Sequence, residues 1–295
     1  MRDRPTEIFR CSSPPDRRTR FGPPAPGAPP DAVDAWGPLL LLGGTAMAAF
    51  MAGLWLIQRR TGDAGVVDVG WSLGIALLAA AFALVSTGPV ERRALVAGLA
   101  VAWGVRLAWH IHARARRAGG EDPRYAALRE RWGAAFQRNL FLFYQAQGLS
   151  QVALAVPVLA ALAHRAPRLG AWDAAGAALA AVAIAGEALA DAQLAAFRAD
   201  PAHRGRTCRR GLWAWSRHPN YFFEWLFWWT WVAIAAPGPA AAWALVGPAL
   251  MLWFLWKVTG IPTSEARALA TRGEDYRDYQ RTVSAFVPWP PRRAA

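Results

Sequence analysis

Apolar runs dominate this chain, and they recur at membrane-helix length. They lie near 36–57, 66–86, 94–112, 140–163, 171–194, 221–237 and 239–256, each close to the roughly 20 residues a helix needs to cross a hydrocarbon core. The pattern predicts an all-α, polytopic membrane protein of about seven transmembrane helices. Pro237-Gly238-Pro239 joins the last two as a tight hairpin. The long polar segments, 113–139, 195–220 and 257–295, all leave the same ends of the spans. Within the first, Tyr125, Leu128, Trp132 and Phe136 recur at helical spacing among charges, which predicts an amphipathic helix at the membrane surface over 123–138. Within the last, a helix is expected after Thr263 or Ser264, with a turn at Gly273.

Composition agrees with that reading. Of 295 residues 55% are hydrophobic and 18% charged, and there are 17 tryptophans, a profile foreign to soluble domains of this size. The net charge of +13 does not mark a nucleic-acid surface, because the arginines sit between the apolar runs and form no single basic domain. Counted by loop, 22 Lys and Arg fall on one side of the spans and four (Arg92, Arg93, Arg165 and Arg168) on the other. The positive-inside rule places the first side, with the C-terminus, in the cytoplasm. Residues 1–35, with three Pro-Pro pairs and six arginines, read as a disordered tail without a removable signal peptide, and 36–291 as one transmembrane domain. Cys11 and Cys208 support neither a disulfide framework nor a metal site.

The chemistry concentrates between Arg206 and Glu224. Pro219 suits the first turn of a helix, with Ser216 or His218 leading in, and Asn220 and Glu224 then lie one turn apart on one face. A carboxylate at membrane depth costs roughly 2.5–3.5 kcal/mol, so Glu224 calls for a partner: Arg217, Arg210 or a bound ligand. The bland reading is a Glu that snorkels to water. Arg206, Arg209, Arg210 and Arg217 beside Gly211 suit a phosphate-bearing ligand, although topology alone also puts arginines here. Tyr276 and Tyr279 share a helix face that covers such a ligand or simply packs. Among the other spans, Asp68 and Tyr144 (beside Gln145 and Gln147) are the acids best placed to polarise a carbonyl. His110, His112, Glu187 and Asp191 read equally as packing groups; Glu187 and Asp191 are expected to pair with Arg114 or Arg198, and no metal site is assigned.

Gly211-Leu212-Trp213, Arg217-His218-Pro219-Asn220-Tyr221 with Glu224, Gly273-x-x-Tyr276-x-x-Tyr279 and the Phe286-x-Pro288-Trp289 ending resemble the bacterial membrane proteins of the steroid 5-alpha-reductase-like family (DUF1295 type). Isoprenylcysteine carboxyl methyltransferases belong to the same superfamily. The resemblance implies a cytoplasmic-facing cavity for NADPH, with the cofactor motifs in 206–291. Its ligands by likeness are Arg206, Arg210, Arg217, His218, Asn220, Tyr221, Glu224, Tyr276, Arg277 and Tyr279. It implies an enzyme of the bacterial inner membrane reducing a conjugated double bond in a lipid-like substrate. The rival branch implies S-adenosylmethionine and a lipid or isoprenylcysteine-type methyl acceptor; a non-enzymatic lipid-binding protein is the third reading. Two positions depart from the pattern: Phe223 stands where both branches have Gly, and Glu265-Ala266 where the methyltransferases have a Glu pair. Asn220 and Glu224 without the second Glu favour the reductase.

Overall fold

In hydrocarbon a backbone amide has no water to bond, so a spanning segment must satisfy its own N–H and C=O groups as a helix. The computed structural model, which describes residues 36–292, is helical throughout its apolar segments. In chain order the helices are α1 Trp36–Thr61, α2 Val66–Val85, α3 Val90–Ala118, α4 Pro123–Trp132, α5 Phe136–Leu162, α6 Ala171–Ala199, α7 Pro219–Ala235, α8 Ala241–Ala244, α9 Val246–Trp253, α10 Ile261–Arg272 and α11 Glu274–Thr282. The tail assigned to 1–35 lies outside the described residues.

Six helical stretches are long and apolar enough to cross a membrane: α1, α2, α3, Pro123–Leu162, α6 and Ala241–Arg272. Seven were expected. The difference is α7, whose 17 residues reach about 26 Å at 1.5 Å per residue, short of a hydrocarbon core of roughly 30 Å. The last expected span is also not one helix. It is divided into α8, α9 and a π-helical turn over Phe254–Val258. α10 starts at Ile261, ahead of the expected Thr263 or Ser264 cap, with Pro262 in its first turn. Gly273, at φ 54°, makes the predicted turn between α10 and α11.

α7 packs against α5, α6 and α9, while α2 pairs with α3 and α1 with α5. The outward faces carry bare apolar side chains such as Leu41, Leu84, Trp109, Leu149 and Trp172, a surface that water would penalise and lipid accepts. The surface helix expected over 123–138 is shorter: α4 ends at Trp132, Gly133 at φ 47° breaks it, and Phe136 opens α5. Asp122 caps α4 by accepting from the Arg124 N–H at 2.9 Å.

α3 and α6 run parallel, and their charges fix the register. Arg92, buried to 1% exposure, donates from Nε and Nη2 to the two carboxylate oxygens of Asp173, at 2.7 and 2.8 Å, and sends its remaining N–H groups to the carbonyls of His164, Ala166 and Arg168. Arg92 and Asp173 are 81 residues apart. Arg106 with Glu187 and His110 with Asp191 repeat that separation nearer the other end. Fourteen residues, about 21 Å of helix, separate the bracket at Arg92 from the pairs at Arg106, which brings the polar ends of α3 and α6 to the start of α7.

Candidate functional site

The loop before α7 is stitched to the C-terminal segment. The Arg217 backbone N–H donates to Ser284 O at 2.8 Å, the Ser216 hydroxyl to Phe286 O at 2.7 Å and the Trp289 N–H to Trp215 O at 2.9 Å. Ser216 Oγ in turn accepts from the His218 N–H at 3.1 Å, one of the amides left open at the start of α7. Tyr279, 1% exposed, donates its hydroxyl to the carbonyls of Trp213 and Ser216.

Glu265 is the hub of this layer. Its Oε1 accepts from Arg217 Nε at 2.7 Å, contacts His218 Nε2 at 3.2 Å and accepts from the Tyr276 hydroxyl at 3.4 Å, while Oε2 accepts from Gln280 Nε2 at 2.8 Å. Arg217 Nη1 donates to the carbonyls of Gln280 and Val283. Burial pushes the His218 imidazole below its ordinary range, against the pull of Glu265, and pushes the Tyr276 and Tyr279 phenols up. Arg217, Tyr276 and Tyr279 thus lock α10 and α11 onto the loop. The two tyrosines do share a face, with rings 5.7 Å apart. Arg277 lies on the exposed side of α11 against Glu274.

Deeper, α7 presents Asn220 and Glu224 toward α3 and α6, one turn apart as predicted. Glu224 has neither Arg217 nor Arg210 as a partner. Its oxygens accept indole N–H groups, Trp103 Nε1 at 2.9 Å and Trp228 Nε1 at 3.2 Å. The Trp103 ring stacks on Phe227 at 5.1 Å, so the carboxyl sits among aromatics that keep water out. Asn220 Nδ2 donates to Asp191 Oδ1 at 3.2 Å. Asp191 Oδ2 takes Arg106 Nη1 at 2.9 Å and faces His110 Nδ1 at 3.3 Å, and Arg106 also pairs with Glu187. Arg106, not Arg114 or Arg198, holds Glu187 and Asp191 of α6. Phe223 is accommodated because the facing residue of α6 is Gly186.

Above this floor lies a rim of arginines. Arg198 feels the charges of Arg272 and Arg114, and burial raises the Cys208 thiol against the opposing pull of Arg210, Arg198 and Arg272. The nearby acids are engaged elsewhere: Asp275 and Asp278 hold Arg209, Glu265 holds Arg217, and Asp122 holds Arg124. Among the described residues Arg114, Arg198, Arg206, Arg210 and Arg272 have no acidic partner within 4.0 Å, though Arg272 lies over the Tyr276 ring at 5.6 Å. Gly211, at φ 56°, leaves its open side to the Gln193 side chain, whose Oε1 accepts the Leu212 N–H at 2.9 Å. Tyr221 stacks on His218 and bonds Ser264 at 2.9 Å.

Asp68 and Tyr144 stand apart from this cluster. Asp68 accepts from Arg124 at 2.6 Å and from the Tyr125 hydroxyl at 2.8 Å, which docks α4 on α2, and Tyr144 donates to Ala64 O at 2.7 Å. No hydrogen bond or ion pair among the described residues joins either to Asn220 or Glu224. The residues the sequence reading passed over are Trp103, Arg106 and Arg272; Arg114 and Arg198 entered it only as partners for Glu187 and Asp191. For Arg106 the signal was there: it is the one Lys or Arg of 33 that falls inside a predicted span.

No curated protein and no solved structure matches this chain. The profile of the family described as "Protein of unknown function (DUF1295)" matches residues 54–283, which takes in α7, its flanking arginine loop, α10 and α11. The chain belongs to the DUF1295 family.

Proposed function

We propose that this protein is an NADPH-dependent membrane reductase acting on a conjugated double bond in a lipid-like substrate. Its α7 completes a seventh crossing, and its arginine rim faces the cytoplasm of a bacterial inner membrane. The observation that carries the reading is the rim: cations crowded without acidic partners above a buried polar floor repel one another, and an anion relieves the repulsion. The donor set fits a phosphate-bearing nucleotide. Arg198, Arg206, Arg210 and Arg272 would hold its phosphates, and Asn220 and Glu224 would meet its polar ring substituents. When bound, NADPH supplies the hydride.

The chain's own residues position and exclude. Asp191 fixes the Asn220 amide, and the Glu265 hub holds α10 and α11 as a cover over the loop. The indoles of Trp103 and Trp228 keep water from Glu224, where a low dielectric strengthens every polar contact. The lipid-exposed apolar faces leave a hydrophobic substrate free to enter from the bilayer.

Titration of the purified protein with NADPH and, in parallel, with S-adenosylmethionine tests the proposal. NADPH should raise the thermal midpoint, by about 2.7 kcal/mol of stabilisation at a hundredfold excess over Kd, and Asn220→Ala should remove most of the gain. Stabilisation by S-adenosylmethionine alone would overturn the reductase in favour of a methyltransferase; no effect of either would favour a lipid-binding protein.

A further inference from the structure

Glu187, Asp191 and Glu224 lie inside the helix layer, none more than 8% exposed. The cations that reach them are one guanidinium, Arg106, and one imidazole, His110. Even with His110 charged, three carboxylates exceed the positive charge by one, and an uncompensated charge in this medium is costly. The hydrogen bonds indicate where a compensating proton belongs. Asp191 faces three nitrogens, of Arg106, His110 and Asn220. Glu224 receives one indole N–H on each oxygen, and protonation would set an O–H against an N–H. Glu187 differs: Arg106 contacts Oε1, while Oε2 is buried with no partner.

We infer that Glu187 binds a proton on Oε2 within the membrane layer, and that Asp191 and His110 connect it to the polar face. The charged groups facing it are Arg106 from α3, Asp191 from its own helix and Glu224 from α7; His110 and Asn220 meet Asp191, and Trp103 and Trp228 hold Glu224. The packed turn over Gly211–Ala214 adds no titratable side chain. His110 is the outermost member, its side chain 29% exposed, with Arg114 and Arg117 beyond it. The store itself does not depend on the reductase reading; its use does. Reduction of an enone consumes one proton per hydride. The Glu187 O–H bond would break, leaving its electron pair on the carboxylate, as the electron pair of the enolate forms C–H at the α carbon. A proton from water then returns through His110 and Asp191.

Infrared difference spectra of the whole protein in nanodiscs, in H2O and in D2O near neutral pH, test this. The expected result is a deuterium-sensitive carbonyl band of a buried carboxylic acid, lost in Glu187→Gln and retained at a shifted frequency in Glu187→Asp. Its deuterium exchange should slow at least tenfold in His110→Ala. Glu187→Gln, a neutral stand-in for the protonated acid, should keep the parent's thermal midpoint, whereas a plain ion pair with Arg106 predicts a loss. Absence of the band in the parent, its persistence in Glu187→Gln, unslowed exchange in His110→Ala, or failure of Glu187→Gln to fold would each overturn the inference. Failure of NADPH to bind while the band behaves as expected would sink the reductase reading and leave the proton site standing.

Discussion

Phe223 of α7 fills the space that Gly186 of α6 leaves open: a methyl group on residue 186 would overlap the phenyl ring. The small residue that lets these helices meet is on α6, and α7 supplies the bulk. Gly186→Ala should therefore cost about 1–3 kcal/mol through overpacking, measured as a lower thermal midpoint in detergent. Adding Phe223→Leu should recover most of the loss; a double variant no better than the single would show that the two do not share the space.

Glu265→Ala removes the acceptor that Arg217, His218, Tyr276 and Gln280 share. With Arg217 and Glu265 only 12% and 16% exposed, the loss should approach the low end for a broken buried pair, about 3 kcal/mol. Limited proteolysis should then cut within 261–292 before it touches α1–α6. Simultaneous cleavage along the whole chain would contradict a local role.

The pH dependence of His218 has a definite sign. Its imidazole is held below the usual range by burial, so the unfolded chain takes up a proton at a higher pH than the folded one. Stability is full above about pH 6.5 and falls as the pH drops from there toward the folded value, by at most about 1.4 kcal/mol per unit. Thermal midpoints measured from about pH 8 to 5.5 should decline more steeply in the parent than in His218→Gln. Equal slopes would remove His218 as the cause.

The rim arginines should respond with opposite signs to the presence of ligand. Arg198→Ala or Arg272→Ala relieves like-charge repulsion, so the apo protein should melt no earlier than the parent and slightly later at low salt. The same variants should weaken NADPH affinity at least tenfold. Arginines that serve topology alone would leave affinity unchanged.

Asp173→Asn is the structural control. It strands Arg92 in a buried bracket and should cost about 3–5 kcal/mol while leaving the Kd for NADPH within about twofold, in whatever fraction remains folded.

The spans were legible because the bilayer sets one length scale for every crossing. α7 falls short of that scale, and its interior position beside α5, α6 and α9 removes the need to match lipid thickness by itself. Asn220 and Glu224 were legible as one face because a single helix relates them. Their partners were not, since Trp103 and Asp191 come from other helices and indole donors carry no charge to flag them. One long-range relation was written in the chain all the same: Arg92, Arg106 and His110 repeat the spacing of Asp173, Glu187 and Asp191, as parallel packing of α3 and α6 requires. Asp68 and Tyr144 looked like acids in search of a carbonyl because Arg124, Tyr125 and the Ala64 carbonyl reach them only after α4 folds back and α5 packs.

Tyr279, Ser284, Phe286 and Trp289, the partners of loop 213–218, emerge from the ribosome after every membrane helix. The bundle can thus be fully inserted while its polar face is still open. During that interval the helices are anchored while loop 213–218 still lacks the partners that hold it. A protease that samples loose segments at the membrane surface would meet a resistant 274–289 only in molecules whose loop 213–218 has been stitched in place.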